Sequence, residues 1–223
     1  MSPRQARVLR NQDDQDLRGY LIETAMRLIR EHDAGRLSVR EIARQAQVAD
    51  GVLYNHFEDK EDLLAHALLA HVSSIMSGAP GAPPAGTGTV TDNLRILIDD
   101  GLKVLAEVMP AFVRLLDQPR VLSRFYRMAG GDRAFGAGSG PAGAGHVPWF
   151  LPEIVRGYLA AEQQLGRVAS TADIDAAGRL ITGAIHGQIL PPLLFGSSAD
   201  AIPAGPDLAA HLASTVVEGI APA

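Results

Sequence analysis

Residues 38–64 read SVREIARQAQVADGVLYNHFEDKEDLL, and they constrain the fold more than any other part of the chain. Ser38 followed by Glu41 is a capping box, in which each side chain satisfies a free backbone N–H at the start of a helix. Residues 47–49 interrupt the helical pattern, and Asp59 provides the cap of a further helix. The inward positions predicted for the three segments are Val39, Ile42, Ala43 and Ala46, then Leu53 and Phe57, then Leu63, Leu64, Ala67 and Leu68. Two short helices joined by a tight turn and braced by longer helices form a helix-turn-helix.

The rest of the chain also has helical periodicity, with no strand-like alternation of useful length and no internal repeat. The stripe that predicts a first helix over residues 16–32 is Leu17, Leu21, Ala25, Leu28 and Ile29. Further helices are predicted at residues 93–108, 111–128 with a break at Pro119, 149–165, 173–194 and 207–220. The Gly/Ala/Pro-rich segments 78–90 and 129–148 predict flexible loops. The fold class indicated is all-α.

Composition excludes several kinds of site. The chain has no cysteine, so disulfides, thiolate metal sites and cysteine nucleophiles are ruled out. Apolar residues make up 47% of the 223 and charged residues 20%, which favours a packed core over disorder. The longest apolar run is broken by Gly183, Gly187, Pro191 and Pro192, so no membrane span is predicted. The arginine-containing N-terminus has no apolar segment typical of a secretory signal, and we expect a cytoplasmic protein.

Motifs of catalysis are also missing from the sequence. His66 and His71 are five positions apart, which does not place them on one helix face for a metal. The Gly-rich run 136–145 lacks the spacing of a dinucleotide-binding loop because Pro141 takes the place of the third glycine. It also lacks a phosphate-loop lysine and a nucleophile elbow. We therefore expect no enzymatic activity, no metal and no cofactor.

The stretch SVREIARQAQVADGVLYNHFEDKEDLLAHAL closely resembles the DNA-binding signature of TetR-type (tetracycline-repressor-like) bacterial regulators. That signature is roughly T-V-R-E-I-A-x-x-A-G-V-S-x-G-x-L-Y-x-H-F-x-x-K-E-x-L. The resemblance implies a three-helix DNA-binding head over residues 1–66 and a helical effector-binding and dimerisation domain over residues 67–223. It implies a homodimer that binds a palindromic double-stranded DNA operator and responds to a small-molecule effector. Repression, relieved by the effector, is the predicted mode of regulation.

The resemblance also implies which side chains contact DNA. Arg40 would take a guanine edge in two hydrogen bonds, and Val52 would touch a thymine methyl. A phenol and an imidazole, Tyr54 and His56, would donate to phosphates without a formal charge. The complete predicted set is Ser38, Arg40, Asp50, Gly51, Val52, Tyr54, Asn55, His56 and Lys60. Neutral donors matter because residues 1–66 hold ten Lys+Arg against twelve Asp+Glu, within a chain of net charge −5.

Some residues depart from the family pattern. The turn glycine is Gln47, which must adopt the turn geometry at some cost, and the serine that caps the recognition helix is Ala49. Asp50 has the wrong sign for a phosphate, so we expect it to accept from a cytosine amino group or to help cap the helix. These departures and the acidic balance leave an alternative open, in which the chain is a helical small-molecule binder or scaffold with a degenerate DNA-binding head.

The C-terminal part resembles the family only in general character. Large apolar side chains are predicted to line an effector cavity for a small apolar or aromatic molecule: Met109, Phe112, Leu116, Phe125, Tyr126, Trp149 and Phe150. Arg114, Arg124 and His186 would either orient a polar group of the effector or be satisfied elsewhere. The last two helices, one rich in small residues, are predicted to form a four-helix bundle with their symmetry mates. An N-terminal arm with Arg4, Arg7 and Arg10 would reach a minor groove or be disordered.

Overall fold

The computed structural model describes residues 3–31, 37–130, 151–195 and 207–222, with side chains from Asp14 onward. All regular secondary structure in these ranges is α-helical, which confirms the all-α prediction. The helices are α1 (Pro3–Glu31), α2 (Val39–Gln45), α3 (Asp50–His56), α4 (Lys60–Gly78), α5 (Val90–Arg114), α6 (Pro119–Met128), α7 (Leu151–Gln164), α8 (Ile174–Leu194) and α9 (Leu208–Ile220). None of the described helices is both long enough and apolar enough to cross a lipid bilayer.

The chain forms two compact units. One comprises residues 1–74 and 111–141, and the other comprises residues 75–110 and 142–223. Helix α4 begins in the first unit and ends in the second, and α5 begins in the second and ends in the first.

The first unit is built on the apolar stripes that the sequence predicts. Leu21, Leu28, Ile42, Leu63 and Leu64 are all fully buried, so α1, α2 and α4 each contribute one inward face to a common core. Helix α1 is longer than predicted, since it begins at Pro3. Proline is favoured at the first helical position. Residues 4–18 contain no glycine or proline that would interrupt the helix. The predicted arm is therefore part of α1; the side chains of its arginines lie outside the described ones.

The turn between α2 and α3 has the geometry that the sequence predicts for Gln47. Its φ is +57°, the one positive φ at a non-glycine residue in the described ranges. The Gln47 N–H donates to the Arg44 carbonyl at 3.2 Å and the Val48 N–H to the Ala43 carbonyl at 3.0 Å. These two bonds form a Schellman motif, which usually has glycine at this left-handed position.

We expect Gln47→Gly to raise the free energy of unfolding by about 1 kcal/mol, because glycine adopts a left-handed conformation without steric cost. Gln45→Gly, the same change inside α2, is the matched control and should lower it by about 1 kcal/mol. Urea denaturation of both variants makes the comparison. If both substitutions changed the free energy of unfolding in the same direction, the left-handed conformation of Gln47 would not be the cause.

The second unit has its own apolar core, formed by α5, α7, α8 and α9. Its fully buried members include Leu94, Ile98, Leu159, Ile181 and Ile185. Helices α8 and α9 follow the predicted segments closely; Asp173 caps α8 by accepting from the Ala176 N–H at 2.9 Å. Helix α5 extends beyond its predicted limits on both sides and includes Pro110, while Pro119 begins α6 as the break predicts.

A buried polar cluster fixes the loop between α4 and α5. The fully buried Glu162 carboxylate accepts from the Tyr158 hydroxyl at 2.7 Å and from the Gly86 N–H at 3.2 Å. Arg167 lies 3.3 Å from the same carboxylate and donates to the Gly88 carbonyl. Burial and the bond to Glu162 raise the pKa of Tyr158 to about 12. The predicted loop at 78–90 is present, but its backbone is bonded to buried side chains. Most of the other predicted loop lies outside the described residues.

Candidate nucleic-acid interface

Helix α2 begins at the predicted cap. The Ser38 hydroxyl accepts from the Glu41 N–H at 3.1 Å, and Ser38 itself is exposed. The Glu41 carboxylate is bound by Arg44 at 2.6 Å and by Gln45 at 3.1 Å. The N-terminal end of α2 is therefore an exposed helix start with a hydroxyl at its tip, an arrangement that favours an anion.

Helix α3 separates core residues from outward residues as predicted. Leu53 and Phe57 are buried, whereas Tyr54 is 59% exposed and Asn55 is exposed. Gly51 is exposed as well, and a Cβ placed there would meet no atom within 4 Å. Since its φ is not in the left-handed region, the fold itself does not require glycine at this position. Val52 is half-buried.

Arg40 and Asp50 face each other across the turn. Arg40 Nε lies 3.4 Å from Asp50 Oδ2, and the arginine side chain is 90% exposed. Ala49 is the N-cap residue of α3 and makes no side-chain cap bond. Asp50 follows it in the first turn, where a carboxylate interacts favourably with the helix dipole. The structure thus gives Asp50 an ion-pair partner that the sequence did not predict.

His56 is oriented differently from the prediction. Its side chain is only 6% exposed, and Nε2 lies 3.6 Å from Asp14 Oδ1 on α1. The cause is helical spacing: His56 follows the buried Leu53 by three residues and so points to the same face of α3. The imidazole is therefore placed against α1, and the phosphate contact expected for it stays a prediction.

Lys60 is the first residue of α4, and its ammonium group lies near the start of α2. Nζ donates to the Leu37 carbonyl at 3.1 Å, next to Ser38. Lys60 and Tyr54 also line the same small cleft. The fold thus brings three polar groups that are separate in sequence to one side of the head: the Ser38 hydroxyl, the Tyr54 phenol and the Lys60 ammonium group.

Arg114 and Arg124, for which the sequence left an effector role or a satisfied role open, are both bound within the first unit. Arg114 donates to the carbonyl of Ile29 at 3.3 Å and to that of Arg30, at the C-terminal end of α1. Arg124 lies 2.8 Å from Asp59, 3.3 Å from Glu58 and 3.5 Å from Asp62. Sequence reasoning missed this cluster because α6 is far along the chain from the turn that it contacts. His186 Nδ1 lies 2.8 Å from the Thr182 carbonyl of its own helix.

The predicted effector residues are distributed between the two units. Phe112 and Phe125 form an edge-to-face pair with ring centroids 5.1 Å apart in the first unit. Tyr126 is half-buried and Leu116 is 58% exposed. Met109 packs against the core of the second unit. The remaining two predicted residues, Trp149 and Phe150, lie outside the described residues.

Comparison with known proteins agrees with this geometry. Residues 21–67 match the family described as bacterial regulatory proteins, tetR family. This part of the chain is similar to the tetR family. The matched residues lie in the first unit and include the helix-turn-helix, which confirms the resemblance on which the DNA-binding prediction depends.

Relatives extend the similarity to most of the chain. A protein of Escherichia coli K12 described as "Probable acrEF/envCD operon repressor" is 26% identical over 181 residues, covering 77% of this chain and 74% of the relative. The flavonoid-responsive regulator FrrA superposes with a TM-score of 0.66 at 19% identity, covering 93% of this chain and 98% of FrrA. Bacillus subtilis FadR, solved with stearoyl-CoA, gives a TM-score of 0.58 at 19% identity, covering 90% and 98%. At these identities the two structures support the fold.

Proposed function

We propose that this protein is a TetR-type regulator: a dimeric, ligand-responsive transcriptional repressor that binds a palindromic operator and is released by a small apolar or aromatic effector. The observation that carries the proposal is the recognition helix α3. It buries Leu53 and Phe57 while exposing Gly51, Tyr54 and Asn55 on its outer side. Burial of Leu53 and Phe57 holds the helix in place, and the residue types left exposed are those that would contact DNA. Functionally, residues 1–66 would serve DNA binding, and residues 67–223 effector binding and dimerisation.

Base reading is assigned to the α2–α3 surface. Arg40 would bind the O6 and N7 of a guanine, and Asp50, already 3.4 Å away, would accept from the N4 of a nearby cytosine. Val52 would contact a thymine methyl, with Asn55 at the same surface. Gly51 would let the helix axis come close to the DNA, since no side chain separates them.

Phosphate binding is assigned to groups that need little net charge. The Ser38 hydroxyl, the exposed Tyr54 hydroxyl and the Lys60 ammonium group lie on one side of the head. Hydroxyl donors and helix N-termini bind phosphate oxygens as arginine and lysine do. This explains how a head with a net charge near −2 would hold a polyanion. His56 supports the site from behind by packing against α1.

Dimerisation is assigned to α8 and α9. Leu180 is 68% exposed, Leu194 55% and Phe195 87%, and large apolar groups collected on one helix face are typical of an interaction surface. Gly183 and Gly187 lie between them, and a Cβ at either would meet nothing within 4 Å. Small residues flanked by leucines allow a symmetry-related helix to approach closely. A four-helix bundle with the partner would cover this face.

The effector is assigned to an apolar chemical class. Bacillus subtilis FadR was solved with a fatty acyl thioester, and FrrA responds to flavonoids, which are aromatic. Aromatic side chains predicted to line a cavity, including the Phe112–Phe125 pair, suit such ligands. Effector binding would release the operator by favouring an arrangement of the dimer in which both recognition helices no longer fit successive major grooves.

Selection of bound sequences from random DNA tests the proposal. We expect enrichment of one palindrome whose half-sites are about 34–36 Å apart, one helical turn. Binding to it should weaken steeply as salt increases, because phosphate contacts release counterions. Absence of enrichment, or binding that salt does not change, would favour the degenerate-head alternative.

A further inference from the structure

The turn that joins α3 to α4 is strongly acidic. Between His56 and Leu63, the carboxylates of Glu58, Asp59, Glu61 and Asp62 accompany the single ammonium group of Lys60. Two of them fix the turn: Asp59 Oδ1 accepts from the Asp62 N–H at 2.8 Å, and Asp62 Oδ2 accepts from the Glu58 N–H at 3.2 Å. These charges directly follow the recognition helix and flank Lys60, so they oppose the approach of phosphates at the proposed site.

Arg124 of α6 is bound at this turn. Its guanidinium lies within 2.8–3.5 Å of Asp59, Glu58 and Asp62 and is only 21% exposed. The five N–H groups of arginine can bind several carboxylates at once, whereas the ammonium of Lys60 is directed to the Leu37 carbonyl. Arg124 thus supplies positive charge to the turn from a helix outside the helix-turn-helix.

We propose that Arg124 is a positioning residue for operator binding, because it neutralises and orders the acidic α3–α4 turn beside the phosphate-binding groups. The inference depends on the proposed function, since it concerns affinity for the operator. Arg124 itself is turned toward the carboxylates and need not touch DNA. Its effect on affinity is electrostatic, and two copies act in a dimer.

Arg124→Gln tests the proposal, with the operator obtained from random DNA as the probe. Near 0.05 M salt, the operator affinity of Arg124→Gln should be about tenfold lower than that of the native protein. Near 0.5 M the difference should shrink to about twofold, because salt screens the exposed carboxylates. Arg27→Gln is the matched control: it makes the same charge change in an exposed pair with Glu31 on α1. This control should stay within about twofold of the native protein at every salt concentration.

A second substitution separates charge from structure. The Glu58 side chain is 81% exposed, so Glu58→Gln leaves the fold unchanged. Combined with Arg124→Gln, it should restore most of the lost affinity even though the contact remains broken. Arg124→Lys should likewise retain most of the affinity.

The failures can be told apart. If the native protein bound its operator but Arg124→Gln lost affinity equally at all salt concentrations, without recovery by Glu58→Gln, the electrostatic role would be refuted. Unchanged affinity of Arg124→Gln would refute it too. Native protein that bound no operator would instead overturn the proposed function and, with it, this inference.

Discussion

Leu180→Glu is expected to convert the protein to monomers and to lower its operator affinity by about 100-fold or more. Leu180 is 68% exposed on the apolar face of α8, so a glutamate there costs a folded monomer little. In a symmetric dimer the two new carboxylates would lie near each other within an apolar interface, where unpaired charge is strongly unfavourable. Loss of the second half-site removes the gain in affinity from bivalent binding, which reaches 10²–10⁴-fold.

Sedimentation velocity and binding to a labelled operator measure both effects. Leu165→Glu is the matched control, since Leu165 is also a large exposed apolar residue, at 56%, but follows α7 rather than lying on α8. It should remain dimeric and bind as the native protein does. Dimers of Leu180→Glu at micromolar concentration would show that α8 does not form the interface.

Gly51→Ala is expected to change stability and binding in opposite directions. A Cβ at this position meets no atom within 4 Å in the free protein, so alanine should raise the free energy of unfolding by about 0.5 kcal/mol through helix propensity. On DNA, the added methyl would separate α3 from the groove in each half-site. By analogy with overpacked cores, about 1–3 kcal/mol per site is expected to be lost, which is a tenfold or greater fall in affinity.

Gly19→Ala provides the comparison for this experiment. Gly19 is an exposed α1 glycine, and a Cβ placed there also meets nothing within 4 Å. Gly19→Ala should gain similar stability, and its operator affinity should stay within about twofold of that of the native protein. Thermal unfolding and fluorescence anisotropy give the two quantities. If Gly51→Ala bound the operator as tightly as the native protein, close contact at Gly51 would be disproved.

The features predicted correctly from sequence are those determined by neighbouring residues. The cap at Ser38 depends on a residue three positions away, and the left-handed turn at Gln47 depends on a single departure from a known pattern. Helices α8 and α9 begin next to the aspartates that the sequence proposed for them. Capping and periodicity act over one or two turns, so a single sequence suffices to detect them.

The features that sequence did not reveal depend on contacts between distant segments. His56 lies close to Asp14 on α1, and nothing near His56 in the sequence indicates that partner. The carboxylates that bind Arg124 lie far earlier in the chain, so the sequence alone does not reveal this cluster. The pairing of Arg40 with Asp50 requires the turn to place two short helices at a particular angle. The types of residue in the sequence do not specify the angle between these two helices.

The loop between α4 and α5 has a practical consequence for engineering. Its glycines and prolines would ordinarily recommend it as a place to insert a tag or a reporter domain. Yet Gly86 donates to Glu162, and the carbonyls of Thr87 and Gly88 accept from Asn93 and Arg167. An insertion there would take the Gly86 N–H away from a fully buried carboxylate and would disturb the two carbonyl contacts, so fusions are better made elsewhere.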